Sequence, residues 1–330
     1  MKGQFIISLD FEIHWGVYDA LSLDQYRENL LAVPEVIKSI MTLAEEYGVK
    51  LTFATVGFLF ARNKEEILKF SPGSKPSYQN LALDPYLLID DIGPCENEDS
   101  LHYAISIIDK IANSEFHEIG SHTYSHYNCF AHGQSIEQFE ADIIAAKSIA
   151  ESKGIELKSI VFPKNQVLGP YLKVCEKHGF TSFRGNENSI LYNDTFGKIK
   201  AKFPLFRMLR MVDAYVNISG YHTYQLSMVQ KDGNQILNLP SSRFLRPYLN
   251  KFSFLEPLKI RRITKAMEHA ARKNEMYHLW WHPHNFGVNI RENLTNLRYI
   301  FEKYKELHDK YGFQSESMTG LTNKLISKSQ

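Results

Sequence analysis

The chain has 330 residues, of which 44% are hydrophobic and 23% are charged, so it holds ample apolar material for a large core. Its net charge of +1 gives no indication of nucleic-acid binding, and it contains no run of roughly 20 apolar residues that would predict a transmembrane helix. The cysteines, Cys95, Cys129 and Cys175, show no CxxC spacing, which favours a reducing compartment over a disulfide framework. We therefore expect a cytoplasmic protein.

The first predicted strand, Phe5–Leu9, is a nearly continuous apolar run, as expected of a buried parallel strand. It is too short for the hydrophobic region of a signal peptide. Asp10 and Glu12 follow it on either side of Phe11, and residues two apart in extended chain point to the same side. Two such carboxylates repel each other unless a cation lies between them or one is protonated. A helix-capping acid beside a solvated glutamate is the alternative that this stretch alone leaves open.

The next elements alternate between helix and strand. Apolar periodicity over Leu23–Tyr47 predicts a helix that ends at Gly48, and the alternation of Leu51–Val56 predicts a second strand. The segment Asn63–Asp99 is rich in Pro, Gly, Asn and Asp, which indicates an insertion over one end of the fold. Helical periodicity resumes over Leu101–Ala112.

The stretch Glu118–Tyr127, EIGSHTYSHY, sets His122 and His126 four residues apart after a short predicted strand. If the backbone turns helical at Ser121, both imidazoles lie on one helical face and form half of a tetrahedral metal site. Such a pair also arises by chance as two surface or core histidines. The upstream acidic pair favours the metal, because one carboxylate would supply a third ligand and the other would remain as a general base.

The second half of the chain continues the alternation, beginning with a capping box from Ser135 to Gln138 that starts a helix. The later predicted elements are a strand at Ser159–Phe162, a helix at Gly169–His178, a strand at Phe180–Arg184, an irregular to helical stretch at Tyr192–Val216, a strand at Gln235–Leu239, a basic amphipathic helix at Pro257–Lys273, a strand at Met276–Trp281 and a helix at Ile290–Lys310. About seven such alternations predict a parallel sheet with helices outside, either open or closed into a barrel.

The polar residues of interest follow the carboxyl ends of predicted strands, which is the face that holds the active site in α/β barrels. They are Asp10, Glu12, Thr55, His122, Asn165, Arg184, Ser241 and His282. His282 lies in the run WWHPHNF, whose apolar flanks suit a titratable acid that works near neutral pH. A core histidine bonded to backbone is the alternative for His282 and, more readily, for His284.

The basic segment Lys259–Lys265 within the predicted helix has two interpretations. Most such runs form a solvated helix face. The alternative is contact with a nucleotide or lipid diphosphate attached to a substrate.

The motifs SLDFE, HTYSH and WWHPHNFG resemble those of the NodB-homology polysaccharide deacetylases, the carbohydrate esterase family four group. The resemblance extends along the chain from its start to beyond residue 280. It implies a single α/β domain over residues 1–330, a distorted (β/α)₇ barrel with residues 63–99 and 190–230 as insertions. It also implies removal of an acetyl group from an N-acetylated sugar with a divalent metal, zinc first, with cobalt, manganese, iron or nickel as alternatives.

Carried over residue by residue, Asp10 resembles the family's catalytic base. Glu12 resembles the acidic metal ligand, although the family more often has aspartate there. His122 and His126 resemble the two metal histidines, and His282 resembles the general acid.

The family's third motif normally carries an arginine that pairs with the base, and the corresponding run Val161–Gln166 has none. Either Lys164 takes its place or Arg184 approaches from the next strand. The residues expected to contact the substrate are Asn165, Lys164, Arg184, Thr55 and His284.

The expected substrate is therefore an acylamino sugar that is a precursor or component of surface polysaccharide. Because the sequence shows no export signal, we expect the sugar to be nucleotide- or lipid-linked inside the cell. One alternative keeps the fold and hydrolyses a small cyclic amide or ureide, for which the missing arginine leaves room. Another is a carbohydrate-binding barrel without activity, although binding alone would need neither a base nor an acid.

Overall fold

A curled sheet of short strands organises the protein. A computed structural model describes residues 1–189, 191–192, 204–229 and 236–327, apart from the side chains of residues 204, 207 and 228. Within these residues the strands are β1 (Gln4–Phe11), β2 (Thr52–Thr55), β3 (Glu118–Ser121), β4 (Ser159–Ile160), β5 (Ser182–Phe183), β6 (Tyr224–Gln225), β7 (Leu237–Asn238), β8 (Arg243–Phe244), β9 (Glu275–Trp281) and β10 (Gln314–Glu316).

The sheet runs in the order β6-β9-β1-β2-β3-β4-β5-β7, with β10 paired to β1 and β8 paired to β9. All of these pairs are parallel except β6 with β9. The segment that carries β7 and β8 bonds to both open edges: Leu239 N donates to Phe183 O at 2.9 Å, and Ser242 N donates to His278 O at 2.7 Å. This segment closes the sheet into a distorted α/β barrel, which confirms the predicted fold class.

Helices connect the strands and pack around the barrel. They are α1 (Leu23–Leu31), α2 (Val33–Tyr47), α3 (Lys64–Phe70), α4 (Ile105–Ala112), α5 (Ile136–Glu151), α6 (Gly169–Lys177), α7 (Pro204–Asp213), α8 (Leu226–Val229), α9 (Glu256–Lys273), α10 (Ile290–Tyr311) and α11 (Met318–Ile326). The part of the chain described contains no helix that is both long and apolar enough to cross a bilayer.

Most predicted elements are present, with changed ends. The predicted capping box of α5 forms, with the Ser135 and Gln138 side chains each bonding the other's backbone. The single helix predicted over residues 23–47 is instead two helices that break at Ala32. The physical reason is Pro34, which lacks an N–H and whose ring excludes the carbonyl of the preceding turn, so it starts α2 and cannot continue α1.

The two predicted insertions differ in how much of them is described. Residues 63–99 contain α3 and short 3₁₀ turns, and an isolated bridge joins Asn63 to Cys95. Of the predicted insertion at 190–230, residues 190, 193–203 and 230 lie outside the described residues, and so does Gln235 of the predicted strand that became β7. The described part of the second insertion includes α7, β6 and α8.

Strand β1 shows how the barrel positions its polar groups. Its side chains alternate, and Phe5, Ile7, Leu9 and Phe11 pack outward against the helices in the main core. The other set points into the barrel and changes from apolar to acidic along the strand: Ile6, Ser8, Asp10 and then Glu12. Both carboxylates are therefore delivered to the interior at the carboxyl end of the barrel.

Candidate active site

A buried carboxylate lies between imidazoles at the carboxyl end of the barrel. The Oε2 atom of Glu12 is 3.2 Å from His122 Nε2 and 3.2 Å from His126 Nε2. All three side chains are at least 95% buried. The ligand atoms of this set lie within 4.8 Å of one another, close enough for one metal ion to contact all three.

The tautomer of His122 tests whether these residues fit a cation. Its Nδ1 must donate to the Val161 carbonyl, 2.9 Å away, because a carbonyl oxygen only accepts. The neutral ring then directs the lone pair of Nε2 at a carboxylate oxygen of Glu12. Two acceptors at 3.2 Å repel unless a proton or a cation lies between them, so the donor set suits a divalent metal ion.

The loop that carries the two histidines is not helical, so the helical turn considered at Ser121 does not form. Thr123 and His126 instead adopt the left-handed region, with φ of 63° and 55°. Asp142 on α5 stabilises this conformation, because its carboxylate accepts from Tyr124 N at 2.7 Å and from Ser125 N at 3.1 Å. Burial raises the pKa of Asp142 to about 6. The histidines converge through this loop geometry and not through helical spacing.

The second carboxylate, Asp10, is clamped by Arg184. The two Nη atoms of the guanidinium donate to the two Asp10 oxygens at 2.6 and 2.8 Å, and the guanidinium carbon lies 4.2 Å from the centre of the Trp280 ring. Burial by itself would raise the pKa of Asp10, but the charge and hydrogen bonds of Arg184 outweigh it and hold the pKa below its usual value. Arg184 therefore makes the contact with Asp10 that an arginine of the third motif would be expected to make.

The third-motif run lies beside this pair. Asn165 Oδ1 accepts from Arg184 Nη2 at 2.9 Å, whereas the Lys164 ammonium pairs with Asp19 and not with Asp10. Both Lys164 and Asn165 have a φ of 54°, in the left-handed region. Of the two residues weighed as substitutes for the missing arginine, Arg184 is the one in contact with Asp10.

Backbone strain is concentrated around the site. Among the described residues with positive φ other than glycine, five belong to the segments that surround the carboxylates: Ile13, Thr123, His126, Lys164 and Asn165. A positive φ is least favourable for a β-branched residue such as Ile13, whose φ is 45°. Each such residue costs about 1–3 kcal/mol and persists only where the surrounding structure holds it, which is common at functional sites.

The two histidines of the WWHPHNF run approach Glu12 from the opposite side. His282 Nε2 lies 3.5 Å from Glu12 Oε1 and 3.6 Å from Asp10 Oδ2. Burial lowers the pKa of His282, and the two carboxylates partly offset that effect. His284 Nε2 is 3.2 Å from Glu12 Oε1, and its Nδ1 is 2.9 Å from the Tyr26 hydroxyl. Glu12, His282 and His284 also lie within 4.8 Å of one another.

Thr55 and Ser241 are near the site in different ways. The Thr55 hydroxyl donates to the Phe53 carbonyl at 3.0 Å, and the Thr55 carbonyl accepts from His122 N at 2.9 Å. Thr55 therefore supports the loop that carries His122. Ser241 N donates to Gly185 O at 2.8 Å, which holds the closing segment of the barrel next to Arg184.

Sequence reasoning missed residues that support the site. Asp142 left a signal, since it is a carboxylate on the buried side of a helix whose neighbours Phe139 and Ile143 are apolar. Ser8 and His278 left none: Ser8 Oγ accepts from Arg184 Nη1 and lies 2.9 Å from His278 Nε2, a contact between distant parts of the chain.

The basic segment of α9 forms a solvated face only in part: Arg261 and Lys265 are exposed, as expected, but Lys259 and Arg262 are buried. Lys259 is 2% exposed and donates to the carbonyls of Arg246 and Pro247, and Arg262 is 4% exposed. These two cations are thus neither a solvated face nor free to bind a diphosphate, because the fold of α9 against the barrel turns them inward.

Comparison with known proteins agrees with this geometry. Residues 20–183 match the family model described as polysaccharide deacetylase. The chain belongs to the polysaccharide deacetylase family, as its motifs predicted, and that family consists of hydrolases acting on N-acetyl amide bonds. The match includes His122 and His126 but begins after Glu12 and ends before Arg184. No curated protein matches the chain.

Solved structures share the fold at low sequence identity. A protein from Mycobacterium smegmatis assigned to the polysaccharide deacetylases superposes with a TM-score of 0.62 at 13% identity, covering 99% of this chain and 92% of that one. One from Pseudomonas aeruginosa with the same assignment gives 0.55 at 10% identity, covering 98% and 91%. The Puue allantoinase gives 0.55 at 11% identity, covering 98% and 90%. These similarities support the barrel fold.

Proposed function

We propose that this protein is a metal-dependent hydrolase that removes an N-acyl group, acetyl in the simplest case, from an acylamino sugar. The sugar is a precursor or component of surface polysaccharide. The observation that carries the proposal is the position of the buried Glu12 carboxylate, 3.2 Å from the Nε2 atoms of two histidines far along the chain. Asp10, two residues before Glu12 on the same face of the chain, lies outside this set and is the proposed base.

Glu12, His122 and His126 would hold the metal, with zinc first among the candidates. Three protein ligands leave a coordination position open, as catalytic sites require. When bound, the ion lowers the pKa of a water molecule and stabilises negative charge on the acyl oxygen. His282 is not assigned to this set because its side chain is partly exposed, 24%, and remains accessible to a substrate.

The protein's own groups would move the protons. Asp10 accepts the proton of the attacking water, and the clamp by Arg184 keeps this carboxylate ionised and oriented. His282 lies within 3.6 Å of both carboxylates and donates a proton to the leaving nitrogen. The residues proposed to contact or orient the substrate are Asn165, Lys164, Arg184, Thr55 and His284.

A second candidate keeps the site and changes the substrate to a small cyclic amide or ureide. The similarity to the Puue allantoinase structure, with a TM-score of 0.55, and the absence of the third-motif arginine favour including it. Both reactions need an activated water and an acid for the leaving nitrogen. A substrate panel therefore separates them, whereas the geometry of the site does not.

The test begins with the metal content of the purified protein. We expect about one divalent ion per chain in this three-ligand site. Acetate should be released from UDP-, dTDP- or lipid-linked acylamino sugars, a chelator should stop the release, and zinc or cobalt should restore it. Activity that survives complete removal of metal would reject the mechanism. Activity on allantoin-like amides alone would favour the second candidate, and activity on finished polymer alone would contradict a linked-precursor substrate.

A further inference from the structure

The two oxygens of the Glu12 carboxylate have different partners. Oε2 lies 3.2 Å from the Nε2 atoms of His122 and His126, whereas Oε1 is 3.2 Å from His284 Nε2. His284 is only 3% exposed, and both of its ring nitrogens have partners within the protein. A side chain so enclosed acts through the groups that it contacts, and the ionisable one among them is Glu12.

The hydrogen bonds behind His284 all run in one direction. Asn285 Nδ2 donates to the Tyr26 hydroxyl oxygen at 3.1 Å. Among the described residues the other hydrogen-bond partner of this hydroxyl is His284 Nδ1, at 2.9 Å, so the hydroxyl donates to that nitrogen. A neutral imidazole that accepts at Nδ1 carries its hydrogen on Nε2. That hydrogen is directed at Glu12 Oε1, and the chain of donors therefore ends on the carboxylate.

Helix α1 holds His284 in place. Asn29 Nδ2 on this helix donates to the His284 carbonyl at 2.9 Å, and the Tyr26 ring meets the His284 ring edge-on, with 5.4 Å between their centres. The close approach of the two segments requires Gly287, because a Cβ there would lie 2.3 Å from the Asn29 carbonyl oxygen. Both the ring and the backbone of His284 are thus fixed by α1.

Gly16 confines the same carboxylate from its own segment. A Cβ on Gly16 would lie 1.9 Å from Glu12 Cδ and 2.1 Å from Oε1. A glutamate side chain has several rotatable bonds, and it loses that freedom when its carboxylate is fixed by a ligand. Contacts that already restrict the side chain reduce this loss, so a carboxylate held in advance binds more tightly.

We propose that Tyr26 and His284 are positioning residues, which hold Glu12 Oε1 so that Oε2 faces the metal position shared with His122 and His126. The inference rests on the proposed function, because it takes this set as the metal site. Hydrogen bonds to a metal-binding side chain fix its orientation, and their loss typically weakens metal binding by about 10- to 100-fold.

A different role for His284 would be that of a ligand. Glu12, His282 and His284 are close enough for one ion to contact all three. The direction of the hydrogen bonds disfavours a second ion there, because an imidazole nitrogen that carries a hydrogen has no lone pair to offer. The number of ions bound per chain distinguishes the two roles.

The test is titration of cobalt into the full chain after a chelator has removed its metal, without substrate. The unmodified chain should bind one ion. H284L should bind cobalt about 10- to 100-fold more weakly, and Y26F, which removes only the hydroxyl, about tenfold more weakly. H284Q should recover much of the affinity, since its amide can donate to Glu12, and the visible spectrum of bound cobalt should return towards that of the unmodified chain. H132L and Y299F change exposed residues and are the matched controls.

Several results would overturn the proposal. One is an unchanged affinity and spectrum in both H284L and Y26F. Another is binding by H284Q as weak as that of H284L when the two have matching thermal melts. A third is binding of two ions by the unmodified chain and one by H284L, which would make His284 a ligand. Absence of cobalt binding by the unmodified chain would instead reject the proposed function, and this inference with it.

Discussion

The two ends of the barrel interior are built on the same strands, but the amino end is apolar and the carboxyl end is polar and charged. At the amino end, Ile6 of β1 packs with Met276 of β9 and with Met318 and Leu321 of α11, which plug the barrel. At the carboxyl end, the same inward face of β1 presents Asp10 and then Glu12. Between the two ends, Ser8 bonds Arg184 and lies against His278, so a polar layer separates the plug from the carboxylates.

The inward face of β1 therefore has two roles: its amino end stabilises the fold, and its carboxyl end supplies the candidate active site. The plug consists of apolar side chains whose burial stabilises the fold, and none of them titrates. The carboxyl end buries two carboxylates and several imidazoles, which destabilise the fold unless they are paired or bind a cation. Substitutions at the carboxyl end should therefore reduce function, whereas substitutions at the amino end should reduce stability.

The largest expected effect is at the metal ligands. His126→Ala should lose bound metal and reduce kcat/KM by at least about a thousandfold, because the proposed site falls to two protein ligands. Elemental analysis beside kinetics checks both quantities. The control is His132→Ala, at an exposed histidine six residues on. Full metal content in His126→Ala would remove this residue from the proposed ligand set.

Asp10→Asn should remove the proposed base and leave the metal site intact. We expect a loss of about 10²- to 10⁴-fold in kcat, the usual range for removing a general base, with metal content unchanged. Asp24→Asn, at an exposed position in the first turn of α1, is the matched control. If Asp10→Asn and His126→Ala retained equal amounts of metal, the proposed division of roles between the two carboxylates would be rejected.

At the plug, Leu321→Ala should reduce the free energy of unfolding by about 2–5 kcal/mol, through lost burial and the cavity left behind. Metal content and kcat should stay unchanged, since Leu321 contacts only the apolar end. Chemical denaturation measures the stability, and Leu68→Ala, at a side chain 49% exposed, is the control. Metal loss in Leu321→Ala at temperatures where it remains folded would mean that the two ends are coupled.

The smallest expected effect is a pH shift from Arg184→Lys. Arg184 holds the pKa of Asp10 below its usual value, and a lysine cannot reproduce the two-point clamp. The pKa of Asp10 should rise, and a base works only when ionised, so the acid limb of the kcat/KM profile should move to higher pH. The profile of Arg298→Lys, at an exposed arginine, should not move. An unmoved acid limb in Arg184→Lys would show that Asp10 does not govern it.

The sequence was informative wherever local pattern and local chemistry agree. The apolar run before Asp10, the capping box at Ser135 and the regular alternation of elements each predicted what the structure contains, because each depends on residues close together in the chain. The motif of His122 and His126 likewise named two histidines that the structure brings to Glu12. The helical turn considered at Ser121 does not form, because Asp142 on α5 stabilises a different loop conformation.

Other features depend on distant partners and left little or no local signal. Nothing near Val161–Gln166 shows that Arg184 reaches Asp10, or that Lys164 turns away to Asp19. The burial of Arg262 likewise left no local signal, because the sequence of its helix has the pattern of a solvent-exposed helix.

The sequence alone therefore determined the class of fold and the residue types gathered at the carboxyl ends of the strands. The reason is that hydrophobic periodicity and the succession of elements along the chain are properties of the chain itself. Only the tertiary structure decided which groups meet. Contact between Glu12, His122 and His284 depends on the pairing of strands in the curled sheet, where β1 pairs with β9 and is separated from β3 only by β2. This pairing sets side chains more than a hundred residues apart at a separation of 3.2 Å.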